Sequence, residues 1–216
     1  MTIEAVVLNH TKYGDNHIVI HTLTREYGRR GFIMKAGKKT PTSILMPLSI
    51  VDLDVAEGQK TQLWNVRSAA SAHPLYRIRG DIYKNTMTLF MSEVLYRIVK
   101  DGAREEGLYE WCVSSILTLE RMQSDYSNFH IRFLLDLAAA LGFRPTFDDI
   151  LPFAENGRHT MALKAFVQSP FPESMLIPLS GEDRGAIASD LIRYLEHHTE
   201  SAINIQSLKV LHELYQ

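Results

Sequence analysis

Residues 25–39 read R-E-Y-G-R-R-G-F-I-M-K-A-G-K-K, six positive charges against one negative. Cations at this density, with aromatics among them, suit a polyanionic strand: Lys and Arg neutralise phosphates, and aromatic faces stack on bases. Arg25, Arg29, Arg30, Lys35, Lys38 and Lys39 are the candidate phosphate contacts, and Arg67 joins them from a later strand. Tyr27 is the candidate stacking residue; Phe32 either stacks or belongs to the core. The rival reading is a solvated charged edge that discourages strand-to-strand aggregation. Other chemistry is poorly served. A-G-K-K-T at 36–40 imitates the end of a phosphate-binding loop. However, five residues separate Gly31 from Gly37 where four are needed, and Lys39 stands where Ser or Thr is required. His10, His17 and His21 lack a metal-ligand spacing. Asp52 and Asp54 share a strand face and read best as a solvent-facing row. Cys112, Ser114 and Ser115 have no base nearby in the pattern. Nothing assembles a nucleophile, a base and an orienting group, so the expectation is no catalytic residue, no metal, no cofactor and no enzymatic activity.

These cations must be held by short strands. β-Branched runs at 3–9, 17–23, 29–35, 48–55 and 61–70 are separated by turn residues such as Y-G-D-N at 13–16. Five such runs predict a five-stranded OB-type barrel, with a long connection from Ala36 to Pro47 over its surface. After Pro74 the period changes. Tyr83, Met87, Phe90, Met91, Val94, Leu95 and Ile98 share one helical face, with Asp81 placed to cap its start. Two more amphipathic runs follow, from Leu108 to Met122 and from Phe129 to Leu141, the latter stopped by Gly142 and Pro145. Further helices are expected near 184–196 and 207–215. Between 147 and 180 the pattern is lost, which predicts loops or a small β-ribbon. The predicted fold class is therefore α+β and multidomain: an OB-type barrel at 1–78, then an α-helical bundle at 79–216 with an irregular insert at 146–180.

The 216 residues, 45% of them apolar, suffice for one sizeable core or two modest ones. The net charge of −2 hides a balance of +5 over residues 1–80 and −7 over residues 81–216. Such a split suggests two units with different partners. Cys112 is the only cysteine, so neither an internal disulfide nor a multi-cysteine zinc site can form. A reducing cytoplasm is the expected setting, with no signal peptide at the start and no membrane-spanning run.

The order of the motifs resembles the RecO family of DNA-repair and recombination mediators. The resemblance is carried by K-Y-G-D-N at 12–16, L-T-R-E-Y-G-R at 23–29, K-A-G-K-K-T-P-T-S at 35–43 and L-M-P-L at 45–48. It continues with M-S-E-V-L at 91–95 and R-F-L-L-D-L-A-A-A-L-G-F-R-P at 132–145. It implies an OB fold that binds single- and double-stranded DNA and anneals complementary strands. It further implies help in loading RecA onto DNA coated by single-strand DNA-binding protein, in a cytoplasmic, nucleoid-associated setting. The implied protein partners are RecR and the acidic C-terminal tail of the single-strand DNA-binding protein. From the residues alone, Arg132 reads as an ordinary surface arginine ahead of an anchor for an acidic, apolar peptide end; the resemblance makes it a candidate tail anchor. Many members carry a four-cysteine zinc module where residues 146–180 have no cysteine, so no zinc is expected here. F-D-D-I-L-P-F at 147–153 is similar to such an acidic tail and is a candidate internal mimic of it. Outside the family, the alternatives are a protein-binding adaptor with no nucleic-acid activity, and, more distantly, a metal-dependent hydrolase built on Asp52 and Asp54.

Overall fold

The computed structural model describes residues 1–35, 42–56, 63–154 and 159–214. Five strands form the amino-terminal part: β1 (Thr2–Tyr13), β2 (His17–Thr24), β3 (Gly28–Lys35), β4 (Ile50–Ala56) and β5 (Trp64–His73). They close into a barrel in the order β1-β2-β3-β5-β4. All pairings are antiparallel except β3 with β5, which run parallel through Phe32–Trp64, Ile33–Asn65 and Met34–Val66. This is the five-stranded OB-type arrangement that the β-branched runs predict. β1 serves two neighbours, pairing with β4 through Thr2–Val6 and with β2 as far as Tyr13. A register shift between Val7 and Asn9 bends it from one to the other.

Alternation along the strands divides the apolar residues between two cores. Ile3, Ala5, Val7, Ile18, Ile20, Phe32, Met34, Val51, Leu53, Val55 and Trp64 fill the barrel. The opposite face of the same strands supplies Val6, Leu8, Leu23 and Ile50 to the helical core. One outer wall of the barrel is thus packed against helices rather than water.

Nine α-helices are described: α1 (Tyr76–Gly80), α2 (Ile82–Ile98), α3 (Leu108–Arg121), α4 (Phe129–Ala140), α5 (Phe147–Ile150), α6 (Thr160–Gln168), α7 (Phe171–Met175), α8 (Gly181–Thr199) and α9 (Ser207–Leu214). α2 is the central one, burying Met87, Phe90, Met91, Val94, Leu95 and Ile98. The Asp81 carboxylate accepts from the amides of Tyr83 and Lys84 and from the Tyr126 hydroxyl, as its N-cap position predicts. Lys84 is buried beside it. Its ammonium donates to the Met122 carbonyl at the end of α3 and lies 4.9 Å from the centre of the Tyr126 ring. That places a cation at a helix C-terminus, where the dipole favours it.

The insert at 146–180 corrects the sequence expectation of loops or a β-ribbon, because α5, α6, α7 and a 3-10 turn at Leu151–Phe153 occupy it. α5 and α7 are too short to declare a period, and four prolines interrupt the apolar pattern around α6. α5 is fixed by a capping box between Thr146 and Asp149, and α6 buries only Leu163 and Phe166. The insert is joined to α8 by a buried polar group. His159 Nε2 lies 2.5 Å from Asp190 Oδ2, Arg193 bonds the other carboxylate oxygen, and Arg193 Nε donates to the Phe153 carbonyl. Among the described residues no helix is long and apolar enough to cross a membrane.

Candidate nucleic-acid interface

The basic stretch does not form one patch. β3 carries its residues over roughly 20 Å, and its two ends have different surroundings. Near the start of β3, Arg25 and Arg29 face the helical part and Arg30 faces aromatics of the barrel itself. Arg29 donates from one terminal nitrogen to the carbonyls of Tyr96 (2.8 Å) and Val99 (2.6 Å) at the end of α2, and its guanidinium stacks 4.3 Å from the centre of the Tyr96 ring. The sequence expectation of Arg29 as an exposed phosphate contact is therefore corrected. Those carbonyls have no helical donor left, and an arginine satisfies both at once. Arg25 remains exposed but is paired 2.7 Å from Glu110, over the ring of Tyr109. Arg30 lies 4.2 Å above Trp64 and 5.4 Å from Tyr27, half-buried on an aromatic floor. Tyr27 is itself half-buried, edge-on to Trp64 at 5.0 Å. Phe32 is wholly inside the barrel, which settles its two readings in favour of the core.

At the far end of β3 the surroundings open. Lys35 is exposed and pairs across the sheet with His17 of β2, which pairs with Tyr13 of β1. Arg67 follows Val66, the β5 partner of Met34, so Lys35 at the end of β3 lies beside the early part of β5 that carries Arg67. Arg67 is 63% exposed at its side chain, and its one described ion pair, to Asp54, is long at 3.9 Å. Such a pair is weak in water and yields readily to a phosphate. Lys38 and Lys39 lie outside the described residues. The end of β3 and the early part of β5, next to the β1–β2 turn, thus carry two accessible cations of the candidate set, Lys35 and Arg67.

His21 lies 5.2 Å from Tyr96, edge to face, and Thr11 Oγ1 is 3.3 Å from its Nε2. Burial, helped by the Arg29 charge, lowers its pKa from the usual imidazole value. His21 is therefore the neutral member of this face near pH 7. Among the described residues no group of three or more His, Cys, Asp or Glu side chains is placed to hold a metal ion. Asp54 lies beside the amino-terminal amine and Arg67 instead.

Arg132 opens α4 as a half-buried side chain. Its Nε donates to Asp136 at 2.9 Å and a terminal nitrogen donates to the Ser169 carbonyl at 2.7 Å, tying α4 to the end of α6. The F-D-D-I-L-P-F segment packs on α6 and α8. Its Asp149 closes the Thr146 cap, and hydrogen bonds from Thr146 hold that carboxyl below the usual carboxylate range.

Sequence reasoning passed over two residues of this barrel. Trp64 is the floor beneath Arg30, and an aromatic within the strand run at 61–70 is its only signal in the sequence. The sequence shows Tyr13 only as part of the Y-G-D-N turn.

A family model described as Recombination protein O N terminal matches residues 1–75, and one described as Recombination protein O C terminal matches residues 79–150. The chain is 25% identical to the DNA repair protein RecO of Azobacteroides pseudotrichonymphae over 98% of both chains. It is 31% identical to that of Bacteroides fragilis over 67% of this chain and 61% of the relative. A further relative, from Flavobacterium johnsoniae, is 24% identical over 98% of each. A closed OB-type barrel matched by the amino-terminal model, and helices matched by the carboxy-terminal one in the same order, place this chain in the RecO family.

Proposed function

We propose that this protein is a DNA-binding recombination mediator in DNA repair. It would anneal complementary strands and assist RecA loading onto single-stranded DNA, without catalysing a covalent step. The carrying observation is the exposed cationic rim at Lys35 and Arg67 on an OB-type barrel of this family. Cations that neutralise two strands at once reduce their mutual repulsion and raise their local concentration, so base pairing itself supplies the driving force. Residues 1–78 would hold DNA. Residues 79–216 would receive proteins, among them RecR and the acidic tail of a single-strand DNA-binding protein. In that reading a tail carboxylate replaces Asp136 on the Arg132 guanidinium, which already points between α4 and α6.

The test is charge reversal of Lys35 and Arg67 at the rim, together with the two lysines that follow Lys35 in the sequence, Lys38 and Lys39. A variant with Lys35, Lys38, Lys39 and Arg67 all changed to Glu should lose binding to an oligonucleotide while keeping its circular dichroism and thermal midpoint. Arg29 is left untouched because its guanidinium supports the fold. Wild-type affinity in that variant at low salt would refute the reading.

A further inference from the structure

The rim carries an aromatic residue that neither the basic stretch nor the repair function brings to attention. Tyr13 is 57% exposed, although tyrosines usually bury most of their ring. It ends β1 beyond the last contact of that strand with β4, so its support comes from β2 alone. Residues directly opposite each other in antiparallel strands project to the same face. The register Tyr13–His17–Lys35 therefore sets an aromatic ring, an imidazole and an ammonium in one row across three strands, all exposed. Strands about 4.8 Å apart put the ring and the ammonium roughly 10 Å from each other, a span that one nucleotide unit can bridge. The adjoining turn leaves room: Gly14, at φ +62°, has open space on its side-chain side.

The other aromatics of the barrel cannot do what Tyr13 can. Phe32 and Trp64 are buried at 0% and 7% exposure, and Tyr27 leans its edge on Trp64 beneath Arg30. A base offered to the barrel meets one open ring, and that ring is next to the phosphate-binding cations.

We infer that Tyr13 is a base-stacking platform, flanked by His17 and Lys35, which makes the rim a site for unpaired nucleotides in particular. The inference deepens the DNA-binding reading and rests on it. A base in a duplex is already stacked on both faces and gains nothing from Tyr13. An unpaired base gains a stacking partner while Lys35 holds its phosphate. The row would thus favour single strands over duplex without reading sequence, because every base has an aromatic face.

The experiment uses the full chain, wild type and Tyr13→Ala, titrated with three probes of equal length: a thymidine oligonucleotide, an abasic deoxyribose-phosphate oligomer and a duplex. Tyr13→Ala should lower affinity for the thymidine strand by roughly tenfold or more and leave the abasic and duplex affinities unchanged. Tyr13→Phe should retain wild-type behaviour on all three. Equal affinity of Tyr13→Ala and wild type for the thymidine strand would overturn the inference. So would an equal loss on the abasic strand, which has no base to stack. Failure of the wild type to bind any of the three would instead remove the DNA-binding reading, and the inference with it.

Discussion

Arg25, Arg29 and Arg30 sit within six residues and carry the same charge, yet each is held differently. One is ion-paired to Glu110, one caps the carbonyls at the end of α2, and one stacks on Trp64. A charge count cannot tell these fates apart, because an arginine offers five donors and a planar face to whatever the fold brings near. Burial also decides the behaviour of His130, which is fully enclosed on α4 against Phe90. Desolvation, helped by the Arg184 charge, pushes its pKa down to about 3 from 6.5. The unfolded chain therefore binds a proton between those values that the folded chain refuses. Stability is fully present above pH 6.5 and falls as pH drops toward 3, by on the order of 1.4 kcal/mol per pH unit at most. Urea midpoints measured from pH 7 to pH 4 should decline accordingly. A His130→Phe variant should show a shallower decline over the same range, and an identical decline would remove His130 as the cause.

At the scale of elements, the informative contact is between the β2–β3 turn and the connection from α2 to α3. The Arg29 amide donates to the Ala103 carbonyl at 3.2 Å, and the Gly102 amide donates back to the Arg29 carbonyl at 2.9 Å. Gly28 makes this approach possible. Its φ is +59°, and a Cβ there would lie 1.9 Å from the Ala103 carbonyl oxygen, closer than any real contact. Gly28→Ala should cost at least about 2 kcal/mol, from the left-handed backbone and the forced separation together. The loss would be read as a lowered urea midpoint, and an unchanged midpoint would contradict the close approach. β-Branched runs bounded by turn residues make the five strands legible in the sequence, and the 3.6 period does the same for α2, α3 and α4. The Asp81 cap was legible for the same reason: it is a local rule. α6 and α7 were not, because Pro152, Pro170, Pro172 and Pro178 break the apolar pattern of the insert into short pieces. Their stability comes from contacts distant in sequence, such as Asn128 donating to the carbonyls of Ser174 and Ile177. At the candidate site, Lys35 and Arg67 were found by charge. Tyr13 was missed because only the strand register places it beside Lys35.

Across the whole molecule, the barrel and the helices share a core rather than meeting at a hinge. Val6, Leu8, Leu23 and Ile50 pack with Phe90, Met91 and Leu95. Arg79 adds a polar tie, donating to the Pro47 carbonyl, Ser49 Oγ, Asn85 Oδ1 and Thr88 Oγ1, and desolvation lowers its pKa to about 10 while leaving it charged at neutral pH. A strand held at the rim would thus be fixed relative to whatever the helical part holds, which suits the proposed role of presenting DNA to another protein. The positive rim is set on a chain whose net charge is −2, so in the proposed reading attraction for DNA would come from local arrangement rather than overall charge. That claim has a direct measurement: the affinity of the wild-type protein for a single-stranded oligonucleotide at several salt concentrations. The logarithm of the binding constant should fall linearly with the logarithm of salt, with a slope of about −3 if Lys35, Lys38, Lys39 and Arg67 neutralise roughly four phosphates. Binding that does not respond to salt, or no binding at the lowest salt, would contradict the account.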